Sequence, residues 1–229
     1  SVMKHADYVF IWNKFFENIL IKKHSYRPDQ IKVTGNIQFD YLKKIKIKKK
    51  NKNKQILFAC SYGTDQNNTG DNFILDEKKI LEIISNNLKN IDKKFKIVVR
   101  PYPSAIKSEY ESLKNLGNVQ IEEYGKLQKR RNNYNEMIRF DKNFRSKLNQ
   151  IINSDIIISF GSTFNIEAAI MNKIVLHIDF SVLNSQKNKS YNFFKNRMEY
   201  LKILKSRKFP NIIKNKQQLD LVLREILLK

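Results

Sequence analysis

The residues best able to do chemistry fall in three short groups, each following a run of apolar residues. The first is Ser159-Phe160-Gly161-Ser162-Thr163, directly after Ile156-Ile157-Ile158. A strand that stops at a glycine and restarts as a helix leaves backbone amides unbonded. The helix dipole puts partial positive charge at the same place, so this end attracts anions. Gly161 lets a phosphate approach the main chain, and Ser162 and Thr163 add hydroxyl donors. The same residues also suit ordinary capping, because Ser and Thr are preferred at helix starts whether or not a ligand binds. One turn on, Glu167 stands among apolar neighbours in Ile166-Glu167-Ala168-Ala169-Ile170. A carboxylate there needs partners against desolvation. Either it accepts hydrogen bonds from ribose hydroxyls, as acidic residues do in dinucleotide folds, or it is a favourable charge near a helix start.

The second group, Arg100-Pro101-Tyr102-Pro103, follows Phe95-Lys96-Ile97-Val98-Val99. Two prolines fix the backbone and so direct Arg100 and Tyr102. Arg100 can neutralise a diphosphate through a bidentate contact, or its guanidinium snorkels at a sheet edge. The third, Cys60-Ser61-Tyr62-Gly63-Thr64, follows Ile56 to Ala59. Ser61, Gly63 and Thr64 suit a loop facing phosphate or sugar, although neither a Walker loop nor G-x-G-x-x-G is present. Cys60 reads as a packed thiol, and His177, inside an apolar run, as a core or edge histidine. His5 and His24 read as surface residues. Asp179 follows the same run and could reach a cleft at its end.

The elements that must hold these groups alternate between strands and helices. The sequence predicts strands at Ile56–Ala59, Phe95–Val99, Val119–Ile121, Asp155–Ser159 and Ile174–Ile178. Helices are expected at Asp76–Asn90, with Asp76 as cap, at Ser104–Asn115, Phe144–Asn153 and Ser162–Met171, and near 190–205 and 216–228. Residues 125–140 read as an exposed polar loop. Such alternation implies an α/β fold: a Rossmann-like parallel sheet with right-handed crossovers, flanked by helices, whose ligands bind at the carboxyl ends of the strands. Ahead of it, residues 1–42 read as a terminal βαβ fragment of a second, N-terminal α/β domain, with strands at Tyr8–Trp12 and Ile31–Thr34 around a helix from Asn13 to about Lys23. Residues 43–54 read as a lysine-rich linker, residues 55–185 as the main domain, and residues 186–229 as C-terminal helices.

Composition narrows the function. The 229 residues are 41% hydrophobic, which is enough for an ordinary core. No run approaches the roughly 20 apolar residues that span a bilayer, and the first residues do not have the form of a signal peptide. One cysteine and three histidines leave no disulfide framework and little for zinc, so no metal is expected. The net charge of +22 comes from 35 Lys and only 9 Arg, beside 30 Ile and 27 Asn. That pattern fits the codon usage of an AT-rich genome better than a specific nucleic-acid reader, which favours Arg. The charge does suit loose association with an anionic membrane face.

The order of these segments resembles the C-terminal half of GT-B-type glycosyltransferases and their relatives. These include CDP-glycerol glycerophosphotransferases, surface-polysaccharide transferases and UDP-N-acetylglucosamine 2-epimerases. The block from Asp155 to Ala169 carries most of the likeness, and Gly35-Asn36-x-x-Phe39-Asp40 supports it. The resemblance implies a nucleotide-diphosphate donor and a glycan or lipid-linked acceptor, with no cofactor and no specific nucleic acid. The single cysteine suggests a reducing compartment, and with the positive charge the expected place is the cytoplasm, at the inner face of the membrane. Ser162 and Thr163, with Gly161, would hold the phosphates, and Glu167 the ribose or sugar. Arg100 would stand near the donor, and Ser61, Gly63 and Thr64 would line the cleft. Tyr102 replaces a histidine usual in the family, which leaves it a hydrogen-bonding or stacking role. The usual catalytic base belongs to the N-terminal domain, so none is assigned. Two other readings stay open: a nucleotide-sugar epimerase, and a basic module that binds polyanions.

Overall fold

Asn13 and Asn36 start the two helices of the N-terminal unit, because each short side chain accepts from the amide two residues on, at 2.9 Å. The computed structural model describes residues 6–45, 54–60, 73–91, 95–102, 107–122, 135–182 and 211–227. The chain divides into two compact units, Ser1–Lys46 and Ile47–Lys229. In the first, strands β1 (Val9–Ile11) and β2 (Ile31–Val33) pair in parallel around helix α1 (Lys14–His24). Ile11, Leu20, Tyr26 and Ile31 form its small core. The sequence did not anticipate α2 (Ile37–Lys44), and this helix takes up the start of the lysine-rich stretch.

In the second unit, six parallel strands lie in the order β5-β4-β3-β6-β7-β8. They are β3 (Gln55–Ala59), β4 (Lys96–Arg100), β5 (Val119–Ile121), β6 (Ile156–Ser159), β7 (Ile174–Ile178) and β8 (Ile212–Ile213). Helices α3 (Phe73–Ile91), α4 (Asn135–Asn153), α5 (Thr163–Ile170) and α6 (Lys216–Leu227) accompany them. Counted from β3, the order is 3-2-1-4-5-6, that of the doubly wound dinucleotide-binding fold. The chain winds outward through β4 and β5, returns to the centre at β6, and winds the other way. The crevice between the carboxyl ends of β3 and β6 is therefore the point where the winding reverses.

Alternation along the strands divides the core. Ile56, Phe58, Ile156, Ile158, Leu176 and Ile178 face the layer of α3 and α6, where Ile80, Ile84, Leu219 and Leu223 meet them. Every residue of β3 and β6 is buried, as central parallel strands require. Leu57, Ile157 and Val175 fall on the opposite face by the same alternation.

Several expectations are corrected. Asp76 does not cap α3: it lies inside the first turn, fully buried, and accepts from Ser181 Oγ at 2.5 Å and the Val182 amide at 2.8 Å. The helix expected after β4 is a 3-10 helix over Lys107–Leu116, closed by Gly117 at φ 75°, and Ser104 lies outside the described residues. Helix α4 begins at Asn135, so part of the expected polar loop is helical. Strand β8 was too short to announce itself. Residues 61–64, 125–134 and 190–205 lie outside the described residues.

Candidate functional site

The junction between β6 and α5 lies at the carboxyl end of a central strand, beside the reversal point. Gly161 has φ 137°, a conformation that side-chain-bearing residues resist. Ser162 is the N-cap of α5, its Oγ accepting from the Phe164 amide at 3.2 Å. Ser159 Oγ donates to Asn165 Oδ1 at 2.8 Å and accepts from the Gly161 amide at 3.3 Å, which ties the strand end to the first helical turn. Among the described residues, no acceptor takes the amides of Ser162 and Thr163. Ser162 is half-buried and Thr163 exposed. The cap uses Phe164 N–H and leaves the two preceding donors.

Beside this turn lies a charged cluster. Arg100 is only 5% exposed. Its guanidinium donates to Gln150 Oε1 and sits 5.8 Å from the Phe164 ring centre. Burial pulls the group down to about 10, against the charges of Glu122 and Glu167, so it stays cationic at neutral pH. Lys147 Nζ donates to Glu167 Oε1 at 2.7 Å and stands 5.3 Å and 5.9 Å from the Phe144 and Phe164 ring centres. The Glu167 side chain is 4% exposed and that of Lys147 22%. Arg100 lies in the second strand from the sheet's edge, and its head is enclosed by α4 and α5, so it does not snorkel. Sequence reasoning missed Lys147, Gln150 and Asn165. The i, i+3 spacing of Lys147 and Gln150 on α4 was visible, but which residues of other elements would meet them depends on a crossover.

The other expected residues are more scattered. Tyr102 is described and 39% exposed at the exit of β4. Ser61, Gly63 and Thr64 lie outside the described residues. Cys60 is a packed thiol, as expected, beside Glu77 and Tyr110, whose hydroxyl donates to Glu77 Oε2 at 2.7 Å. Burial, and then the Glu77 charge, push the thiol well up, so it keeps its proton. His177 is 2% exposed, and His24 is half-buried rather than exposed; His5 lies outside the described residues. Asp179 is half-buried, its amide bonded to the Ile213 carbonyl at 2.8 Å. Among the described residues, no group of three or more His, Cys, Asp or Glu side chains could hold a metal ion.

No protein-family model and no curated protein matches the chain. Solved structures do. A wall teichoic acid polymerase, TagF, soaked with CDPG, is 15% identical with a TM-score of 0.47, covering 95% of this chain and 48% of that one. A glycosyltransferase from Rickettsia africae is 18% identical with a TM-score of 0.41, covering 100% of this chain and 65% of that one. UDP-GlcNAc 2-epimerase from Neisseria meningitidis, bound to UDP-GlcNAc, is 20% identical with a TM-score of 0.42, covering 97% and 60%. The chain spans about half the length of the polymerase.

Proposed function

We propose that this chain binds a nucleotide-activated donor and supplies the donor half of an enzyme. That enzyme transfers a sugar or polyol phosphate onto a cell-surface glycan or lipid-linked acceptor. One observation carries the reading: the amides of Ser162 and Thr163 are unclaimed at a helix start beside the reversal point of a doubly wound sheet. Ligands of such folds bind in that crevice, and a helix start with bare amides suits a diphosphate.

In this reading the Ser162 and Thr163 amides and hydroxyls take the diphosphate, and Gly161 lets it approach. As the donor bond breaks, charge builds on the departing diphosphate, and these fixed donors stabilise it without reorganising. Arg100 acts from beneath as a fixed buried cation. Lys147 holds Glu167 oriented toward α4, and the outer side of that pair meets the ribose or sugar. The second, N-terminal domain would bring the acceptor and the base. Among the described residues no helix is long and apolar enough to cross a membrane. The net charge of +22 suits a place at the anionic inner membrane face, where each nearby Lys contributes about 1 kcal/mol.

The test is a thermal-shift panel of nucleoside diphosphates and nucleotide sugars, set against an oligonucleotide titrated with salt. A diphosphate at about 100 times its Kd should stabilise the fold by about 2.7 kcal/mol. The double variant Ser162→Ala with Thr163→Ala, which keeps both amides but removes both hydroxyls, should reduce that shift. Binding of the oligonucleotide alone, weakening steeply with salt, would replace this reading with that of a polyanion-binding module.

A further inference from the structure

Strands β4 and β5 have two unlike faces. Residues paired across a parallel ladder point the same way, and the register sets Ile97 beside Val119 and Val98 beside Gln120. On one face Ile97, Val99, Val119 and Ile121 join the main core. On the other, β4 presents Lys96, Val98 and Arg100, while Gln120 and Glu122 extend β5; Gln120 Nε2 donates to Glu122 Oε1 at 3.1 Å. Val98 is the one apolar residue among these five. A doubly wound sheet is ordinarily apolar on both faces, because helices cover both. This edge is built to meet something polar.

Helix α4 walls that face and turns polar residues toward it: Arg145, Ser146, Asn149, Gln150 and Asn153. Their spacing of i, i+1, i+4, i+5 and i+8 places them along one side of the helix. Between the wall and the strands lies a hollow of about 510 Å³, open to solvent, whose floor includes Val98 and Gln55. Small-molecule sites run from roughly 300 to 1,000 Å³. Among the described residues, the side chains of Lys96, Ser146 and Asn149 make no hydrogen bond or ion pair. The lining therefore offers unclaimed donors and acceptors. It carries two cations, Lys96 and Arg145, against the carboxylate of Glu122, whose charge also acts on Arg100. Lys96 and Gln55 begin their strands, at the end of the sheet opposite Ser162 and Thr163.

We propose that this cavity is a second binding site, for a small hydroxylated anion of the class of sugar acids and sugar phosphates. The anionic group lies against Lys96 and Arg145. The hydroxyls exchange hydrogen bonds with Asn149 and Ser146, groups that both donate and accept. A bare inorganic anion would use only the cations, and a neutral sugar only the amides.

Isothermal titration of the full chain with glucuronate, glucose 6-phosphate, glucose and inorganic phosphate tests this. Both hydroxylated anions should bind at least about tenfold more tightly than glucose or phosphate, a difference of about 1.4 kcal/mol. The tighter of the two identifies whether carboxylate or phosphate is preferred. Lys96→Gln and Asn149→Leu, both at exposed positions, should each weaken binding about five- to tenfold at an unchanged melting midpoint. If Asn149→Leu lowers the midpoint, Lys96→Gln alone decides. A saturating nucleoside diphosphate should leave the affinity unchanged, which separates this site from the donor site whether or not the donor reading holds. The proposal is overturned if no probe binds at about 10 mM, if phosphate alone binds as tightly as glucose 6-phosphate, if Lys96→Gln binds like the unmodified chain, or if the diphosphate competes.

Discussion

The carboxyl ends of β6 and β4 carry similar sequence signals and resolve them in opposite ways. At β6, Ser162 spends its oxygen on one amide, and two more have no acceptor among the described residues. At β4, Arg100 is consumed inside the fold by Gln150, the Phe164 ring and the fields of Glu122 and Glu167. A backbone amide at a helix start cannot turn inward, because the helix fixes its direction. A long cationic side chain can, and it does so wherever buried partners repay its desolvation. Main-chain donors at a strand end thus stay free of internal partners where a charged side chain at the same level does not.

The largest expected effect tests the inward half of this contrast. Arg100→Ala should cost about 3 kcal/mol in urea unfolding, because it leaves Gln150 and Glu167 short of a buried partner. A variant of unchanged stability that had lost only diphosphate affinity would break the contrast, since β4 would then face the ligand too. Lys147→Met should cost about 2 kcal/mol, less than a fully buried pair because the lysine is partly exposed. Adding Glu167→Gln should restore part of the loss, and a double-mutant cycle measures the coupling. At β6 the balance reverses. Ser162→Ala should cost only about 1 kcal/mol, the worth of a cap, while lowering diphosphate affinity disproportionately. Equal losses of stability and affinity would reduce Ser162 to a cap alone.

The end of β3 gives the smallest effect. Cys60 holds its proton in the fold, whereas an unfolded thiol ionises near pH ~8.5. Above that pH the unfolded chain binds fewer protons than the native one, so stability falls as pH rises. Burial pushes the Tyr110 hydroxyl up as well, and it adds the same sign at higher pH. The urea midpoint should therefore drop between pH 8 and pH 10, and less so in Cys60→Ala. Equal drops in both would place the loss elsewhere.

The N-terminal unit shows the limit of local information from another side. Its βαβ order was legible, yet Phe10 is 68% exposed and Trp12 46%. Periodicity marks which residues want burial but does not supply the surface that buries them. In the larger unit the same patterns found neighbours, and β3 and β6 are buried throughout.

By itself the sequence determined the local events: where the main strands run, that Ser162 starts a helix, that Gly161 makes the turn, and that Cys60 and His177 are core residues. Each depends on contacts within a few positions, where propensity, capping and alternation act. Only the tertiary structure decided that the strands stack as β5-β4-β3-β6-β7-β8, which sets Ser162 beside the reversal point. It also decided that Asp76 fastens Ser181 and Val182, that Lys147 answers Glu167, and that Gln150 claims Arg100. The last three are pairings between residues 105, 20 and 50 positions apart. No local rule links such positions, because the crossovers between strands alone fix which side chains meet.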